Sequence, residues 1–284
     1  MPQIIVNADD FGRSPAVNAG VLRAHREGIL TSASLMVTGD AVDEAVSIAK
    51  QTPSLAVGLH VVAACGRAAL PHARLPHITR EGGHFSDDAP QAGWQYFHSH
   101  AAHRELASEL EAQFKLFADT GLPLSHVDGH LNIHVHPTVF QLLMPLAERF
   151  RARGFRLPRD DFGLALRQER RDGGTRATRA ITFALLCRWC RSRLRRTRLR
   201  VVDRVYGLLQ SGRMHESYLL RILTRLRVPA AEMYLHPSTA FEGDAFGPNP
   251  DDLQALLSPA VREALRDGGH RLSTYSSLDP VACG

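Results

Sequence analysis

Carboxylates and imidazoles gather at four places along the chain. Asn7-Ala8-Asp9-Asp10-Phe11-Gly12 closes an apolar run that begins at Gln3, and Gly58-Leu59-His60 closes another. His126-Val127-Asp128-Gly129-His130 and Glu232-Met233-Tyr234-Leu235-His236-Pro237 close two more. Adjacent carboxylates after a buried strand repel each other unless a cation or a shared proton relieves them. One Asp with two His, leaving open positions, is a common set for Zn²⁺ or another divalent ion that activates water. Each residue taken singly has a plainer use. Asp9 or Asp10 could cap a helix or close a turn. His60 could be a satisfied core histidine, and some of His126, His130, His134 and His136 could simply be exposed. Four strand ends each delivering Asp or His are harder to explain by packing.

Those groups need elements to carry them, and the patterning supplies strands and helices in alternation. Strands are expected at 3–7, 30–37, 55–61, 122–128, 155–157, 231–236 and 271–275. Helices are expected at 14–27, 40–51, 101–120, 137–153 and 250–267, with a basic helical region filling 176–226. Ser14 before Pro15 reads as a helix N-cap followed by proline at the first helical position. Leu106, Leu110, Phe114 and Phe117 mark one face of a clear amphipathic helix. Cys65 to Trp94, rich in Gly, Pro and His, reads as a long loop that shapes the pocket. Such alternation predicts a parallel α/β sheet or barrel, whose functional residues sit at the C-terminal ends of the strands.

A chain of 284 residues suits one α/β barrel domain over 1–284. Its 44% hydrophobic content is that of a globular protein. No apolar run reaches membrane-spanning length, and the start at Met1-Pro2-Gln3-Ile4 reads as a first strand and not a signal peptide. The expected compartment is the cytoplasm. Four cysteines do not make a disulfide framework here, and Cys187-x-x-Cys190 reads as small apolar helix residues. The net charge of +5 is uneven, because 13 Arg against three acids lie between Arg167 and Arg204.

The stretches Asn7-Ala-Asp-Asp-Phe-Gly12, Thr31-Ser-Ala-Ser-Leu-Met36, Gly58-Leu-His60, His126-Val-Asp-Gly-His130 and His236-Pro237 resemble the YdjC family of carbohydrate deacetylases. Arg271-Leu-Ser-Thr-Tyr275 also fits. The basic segment and Ala231 to His236 are most similar to the family's hopanoid-biosynthesis member. The resemblance implies an α/β fold, a distorted (β/α) barrel of the glycoside hydrolase/deacetylase type, with a basic helical insertion at about 165–227. It implies one divalent metal ion (Zn, Mg, Mn, Ni or Co) held by Asp10, His60 and His130. Asp9 would be the general base and His236 the general acid, so that an N-acetyl group leaves an amino sugar as acetate. His126 and Asp128 would orient the ligand histidines. Asn7 and Arg156 are expected to contact the substrate or orient the base. Two positions, Asn132 and Ser238, depart from members that carry His and Gly there.

The Arg-rich segment, with Ile181, Phe183, Leu185, Leu186, Trp189 and Leu194 among its arginines, could lie at an anionic membrane surface. It could equally pack on the barrel with its arginines snorkelling. Nucleic acid is not expected as a partner, because no zinc or RNP-type signature accompanies the charge. The favoured substrate is the N-acetylglucosaminyl head group of a hopanoid lipid, with soluble chito-oligosaccharides as the alternative. A non-catalytic sugar- or lipid-binding protein and a metal-dependent phosphoesterase are the readings from other classes. The phosphoesterase would use His126, Asp128 and His134 for a second ion.

Overall fold

A computed structural model describes residues 1–169, 173–244 and 246–278. Arg170, Arg171 and Asp172 of the basic segment lie outside the described residues. Strands β1 (Gln3–Phe11), β2 (Ser32–Leu35), β3 (Ala56–Val61), β4 (His126–Gly129), β5 (Gly154–Phe155), β6 (Arg204–Tyr206), β7 (Ala230–Leu235) and β8 (Arg271–Ser273) are all parallel to their neighbours. Their order is β5-β4-β3-β2-β1-β7-β6, with β8 paired to β1. The β5–β6 seam has no continuous ladder. It is bridged by Phe155 donating to the Arg200 carbonyl (2.9 Å) and Val205 donating to the Arg159 carbonyl (3.2 Å). The architecture is the expected distorted (β/α) barrel, irregular at that seam.

The helices are α1 (Pro15–Glu27), α2 (Val42–Gln51), α3 (Ala89–His98), α4 (His100–Asp119), α5 (Pro137–Arg149), α6 (Phe162–Gln168), α7 (Gly173–Leu194), α8 (Glu216–Arg225), α9 (Pro250–Leu257) and α10 (Pro259–Asp267). Ser14 caps α1 by accepting from the Val17 N–H, with Pro15 in the first turn. The stripe Leu106, Leu110, Phe114 and Phe117 of α4 is buried in the main core. Each such side chain contributes roughly 1.5–3 kcal/mol on leaving water. None of the helices among the described residues is long and apolar enough to cross a membrane.

Three expectations about elements are corrected. The Cys65–Trp94 loop ends early, because α3 starts at Ala89, capped by Asp88 and with Pro90 in its first turn. The rest of that loop is pinned: Glu109 accepts from the Ala69 and Leu70 N–H groups at 2.7 and 2.9 Å. The basic region is not helical throughout. α7 stops at Leu194, and Arg204–Tyr206 forms barrel strand β6 against β7. The insertion expected at 165–227 therefore contains part of the barrel. The helix expected over 250–267 breaks at Ser258, whose backbone is pushed out of the helical region by Pro259.

Candidate metal centre and active site

A strand sends alternate side chains to opposite faces. In β1 this directs Asn7 and Asp9 into the barrel, while Ala8 joins the surrounding apolar core. Strict alternation would turn Asp10 away from Asp9. Instead Asp10 takes φ = +63°, and the pairing with β2 slips between Ala8 and Phe11. Left-handed backbone at a non-glycine residue costs on the order of 1–3 kcal/mol and persists where its surroundings impose it. The result is that both carboxylates reach His60, at the end of β3.

Asp10 Oδ1 lies 3.0 Å from His130 Nδ1 and 3.4 Å from His60 Nε2. Ligand-type atoms of Asp10, His60 and His130 all fall within 4.8 Å of one another. His60 Nδ1 is bonded to Asp128 Oδ1 at 2.7 Å, which leaves Nε2 to face Asp10. An O,N,N donor set with its second nitrogen held by a carboxylate fits a divalent ion of the Zn, Mn, Ni, Co or Mg type. Burial opposes charge on Asp10, yet His130 and His60 hold its carboxyl well below the usual range. Burial also disfavours a charged His60, but Asp128 beside it and hydrogen bonds to Asp10 and Asp128 raise the ring to about 10. The protonated His60 ring thus supplies positive charge beside these carboxylates, a role a bound cation can take over.

Asp9 is held differently. Arg156 grips it with two bonds, Nη1 to Oδ2 at 2.7 Å and Nη2 to Oδ1 at 2.8 Å, and Asn7 Nδ2 adds a third at 2.8 Å. Arg156 is fully buried and also touches Asp128 (2.8 Å) and Glu232 (2.7 Å), with Tyr234 under its guanidinium. Glu232 in turn accepts from the Tyr275 hydroxyl at 2.7 Å. Arg156 is thus placed against Asp9, the residue expected to be the base. Asn7 likewise contacts Asp9, and is itself fixed by Ser32 and Ser34. Asp128 stands behind His60. His126 bonds Ser34 Oγ (3.0 Å) and stacks on Tyr275, one step further from the cluster.

His236 follows β7, with its ring edge against Tyr234 and its backbone N–H held by Asp252 at 2.9 Å. Its Nδ1 is buried without a hydrogen-bond partner. Asn132, in a left-handed turn after His130, donates to the Tyr234 hydroxyl at 3.2 Å. A second ion is disfavoured. Asp9, His60 and Asp128 come together, but Arg156 already lies between the two carboxylates. His134 is turned away, bonded through Nε2 to the Arg156 carbonyl.

Glu232, Ser34, Tyr234 and Tyr275 lie within the quoted stretches but were given no role of their own, and they prove to be neighbours of the cluster. Their signal was period two: Glu232 and Tyr234 share the inward face of β7. Gly58 is explained by packing, since a Cβ there would come within 2.5 Å of the His126 ring. A cavity of about 520 Å³ lies beside α7 and includes none of these residues. Donor chemistry, not cavity size, identifies the site.

The chain resembles several known proteins. A carbohydrate deacetylase of Brevibacillus brevis is 41% identical over 149 residues, 52% of this chain and 57% of its own length. One from Geobacillus stearothermophilus is 41% identical over 165 residues, 55% of this chain and 64% of its own length. The match thus spans less than two thirds of either relative. A chitooligosaccharide deacetylase of Enterobacter sp. (strain 638) is 30% identical over 287 residues, 97% of this chain and 98% of its own. A crystal structure from Enterococcus faecalis V583, of a protein named for a proposed role in cellobiose-phosphate cleavage, superposes with a TM-score of 0.76. At 23% identity, covering 98% of this chain and 99% of that one, it is similar in fold. The family model described as YdjC-like protein matches residues 3–267. The chain belongs to the YdjC family.

Proposed function

We propose that this protein is a metal-dependent hydrolase that removes the acetyl group from an N-acetylated amino sugar. The observation that carries the reading is one pair of neighbouring carboxylates put to two uses. Asp10 shares the ion-binding cluster with His60 and His130, while Asp9 is locked by Arg156 and Asn7. A divalent ion there would supply Lewis acidity and acidify water. Asp9, oriented by Arg156, accepts the proton of the attacking water. His236 donates a proton to the departing nitrogen, because an amide anion is too poor a leaving group. Water and acetamide become acetate and a free amine. A sugar-binding module would need neither a fixed base nor an acid.

Within that substrate class, the end-to-end similarity to a chitooligosaccharide deacetylase supports soluble chito-oligosaccharides. The cationic outer side of α7 supports the N-acetylglucosaminyl head group of a hopanoid lipid, met by a cytoplasmic protein at the inner face of the membrane. The test is acetate release from each substrate, the lipid in detergent, with and without added divalent metal. Metal-dependent release from the lipid alone selects the hopanoid. Release from chitobiose alone selects the soluble sugar. Release from neither, with metal bound, would overturn the deacetylase reading.

A further inference from the structure

The 520 Å³ cavity lies between α7, the turn after β5 and the approach to β6, away from the metal cluster. Arg159, Arg188, Arg191 and Arg195 line it, and Asp203 is its one acid. Asp203 is already engaged, with Oδ1 on Arg191 (3.3 Å) and Oδ2 on the Ala230 N–H (3.2 Å). Among the described residues no carboxylate pairs with Arg159, Arg188 or Arg195. Guanidinium groups converging on one cavity repel each other unless an anion joins them, and their planar forks suit phosphate.

The rest of α7 says what kind of anion. Cys187, Cys190 and Leu194 are buried, and Trp189 meets Phe140 at 5.5 Å, so this face is packed on the barrel. The opposite stripe, at helical spacing, is Ile181, Leu185, Arg188 and Ser192, continued by Arg195 in the turn just past the helix. Ile181 and Leu185 are 62% and 63% exposed. The stripe is apolar at one end and cationic at the other, and its cationic half opens into the cavity. Arg193, by contrast, is spent on Trp189, with its guanidinium 3.7 Å from the ring centre.

We propose that this cavity seats the phosphate of an anionic membrane lipid, with the acyl region against Leu185 and Ile181, and so docks the outer side of α7 on a bilayer. A soluble phosphate ester would satisfy the arginines but leave the apolar end in water. The proposal is independent of the deacetylase reading, because no residue of the metal cluster takes part.

The test is co-sedimentation of the whole protein with vesicles of phosphatidylglycerol and phosphatidylcholine, against phosphatidylcholine alone, with circular dichroism to verify folding. Binding is expected only to the anionic vesicles. Arg188→Glu and Arg195→Glu should each weaken it about tenfold or more, given the effect of one basic residue near such a surface. Leu185→Ser should weaken it with charge unchanged. Arg196→Glu, on the same helix end but outside the cavity, should weaken it far less. Equal losses for Arg188→Glu and Arg196→Glu would overturn the seated headgroup in favour of a diffuse field. Absence of binding to anionic vesicles, or saturable binding of inorganic phosphate without them, would overturn the lipid assignment. Acetate release from soluble chitobiose is read separately and should be unchanged in these variants.

Discussion

Asp9 and Asp10 are neighbours whose charges are stabilised by different partners. Asp9 is neutralised by a permanent cation, Arg156, whereas Asp10 faces two imidazoles that share the candidate ion-binding cluster with it. Asp9→Asn should keep bound metal near the wild-type level and lose roughly 100-fold or more of the acetate-release rate, as expected for a missing general base. His130→Ala should lose the metal itself. Metal content and rate, measured on the same preparations, separate the two. Wild-type metal content in His130→Ala would remove it from the ligand set. Arg156 is a poor place to test catalysis, because its removal leaves Asp9, Asp128 and Glu232 buried without their cation. That loss costs about 3–5 kcal/mol and confounds folding with activity.

The strands set these residues apart or together, and the glycines among them decide how closely. Gly58 of β3 sits beside His126 of β4, and a methyl group there would fall 2.5 Å from the imidazole. His126 is fully buried between Ser34 and Tyr275, so the ring has little room to retreat. Gly58→Ala should destabilise the protein by about 1–3 kcal/mol in urea denaturation. It should also weaken metal binding, since His60 is two residues further along the same strand. Unchanged stability would mean that the ring can move. β6, of three residues, is too short to show a period and lies in a run dominated by arginine, so the basic region read as helix throughout.

Over the whole molecule, buried titratable groups outside the metal cluster set how stability depends on pH. Burial pushes His134 down to about 4 from 6.5, outweighing the attraction of Asp128. Its neutral form is favoured by folding, so its contribution is complete above pH 6.5 and is lost as pH falls towards 4. The size of that contribution is roughly 3 kcal/mol. Asp160, raised to about 6 by burial, works in the opposite sense. Its contribution is complete below its unfolded value and is lost as pH rises through 6. The His134 effect is therefore read as a difference. Between pH 7 and pH 4.5, wild type should lose more stability in urea denaturation than His134→Gln, whose amide can still donate to the Arg156 carbonyl. Parallel losses would show that His134 does not carry the linkage.

The order of residue types along the chain was sufficient for the alternation of strands and helices and for the four strand ends that bear Asp and His. Those features are local, written in apolar periodicity and in caps such as Ser14-Pro15. It also marked Arg156 as a contact of the substrate or the base, without choosing between them. Its contact with Asp9 was decided by tertiary structure, because Asp9 and Glu232 meet Arg156 only when β1, β5 and β7 surround one interior. The bulge at Asp10 and the arginine-lined cavity were hidden for the same reason. Each depends on how distant segments pack, and a linear pattern carries no record of which side chains from separate elements share a volume.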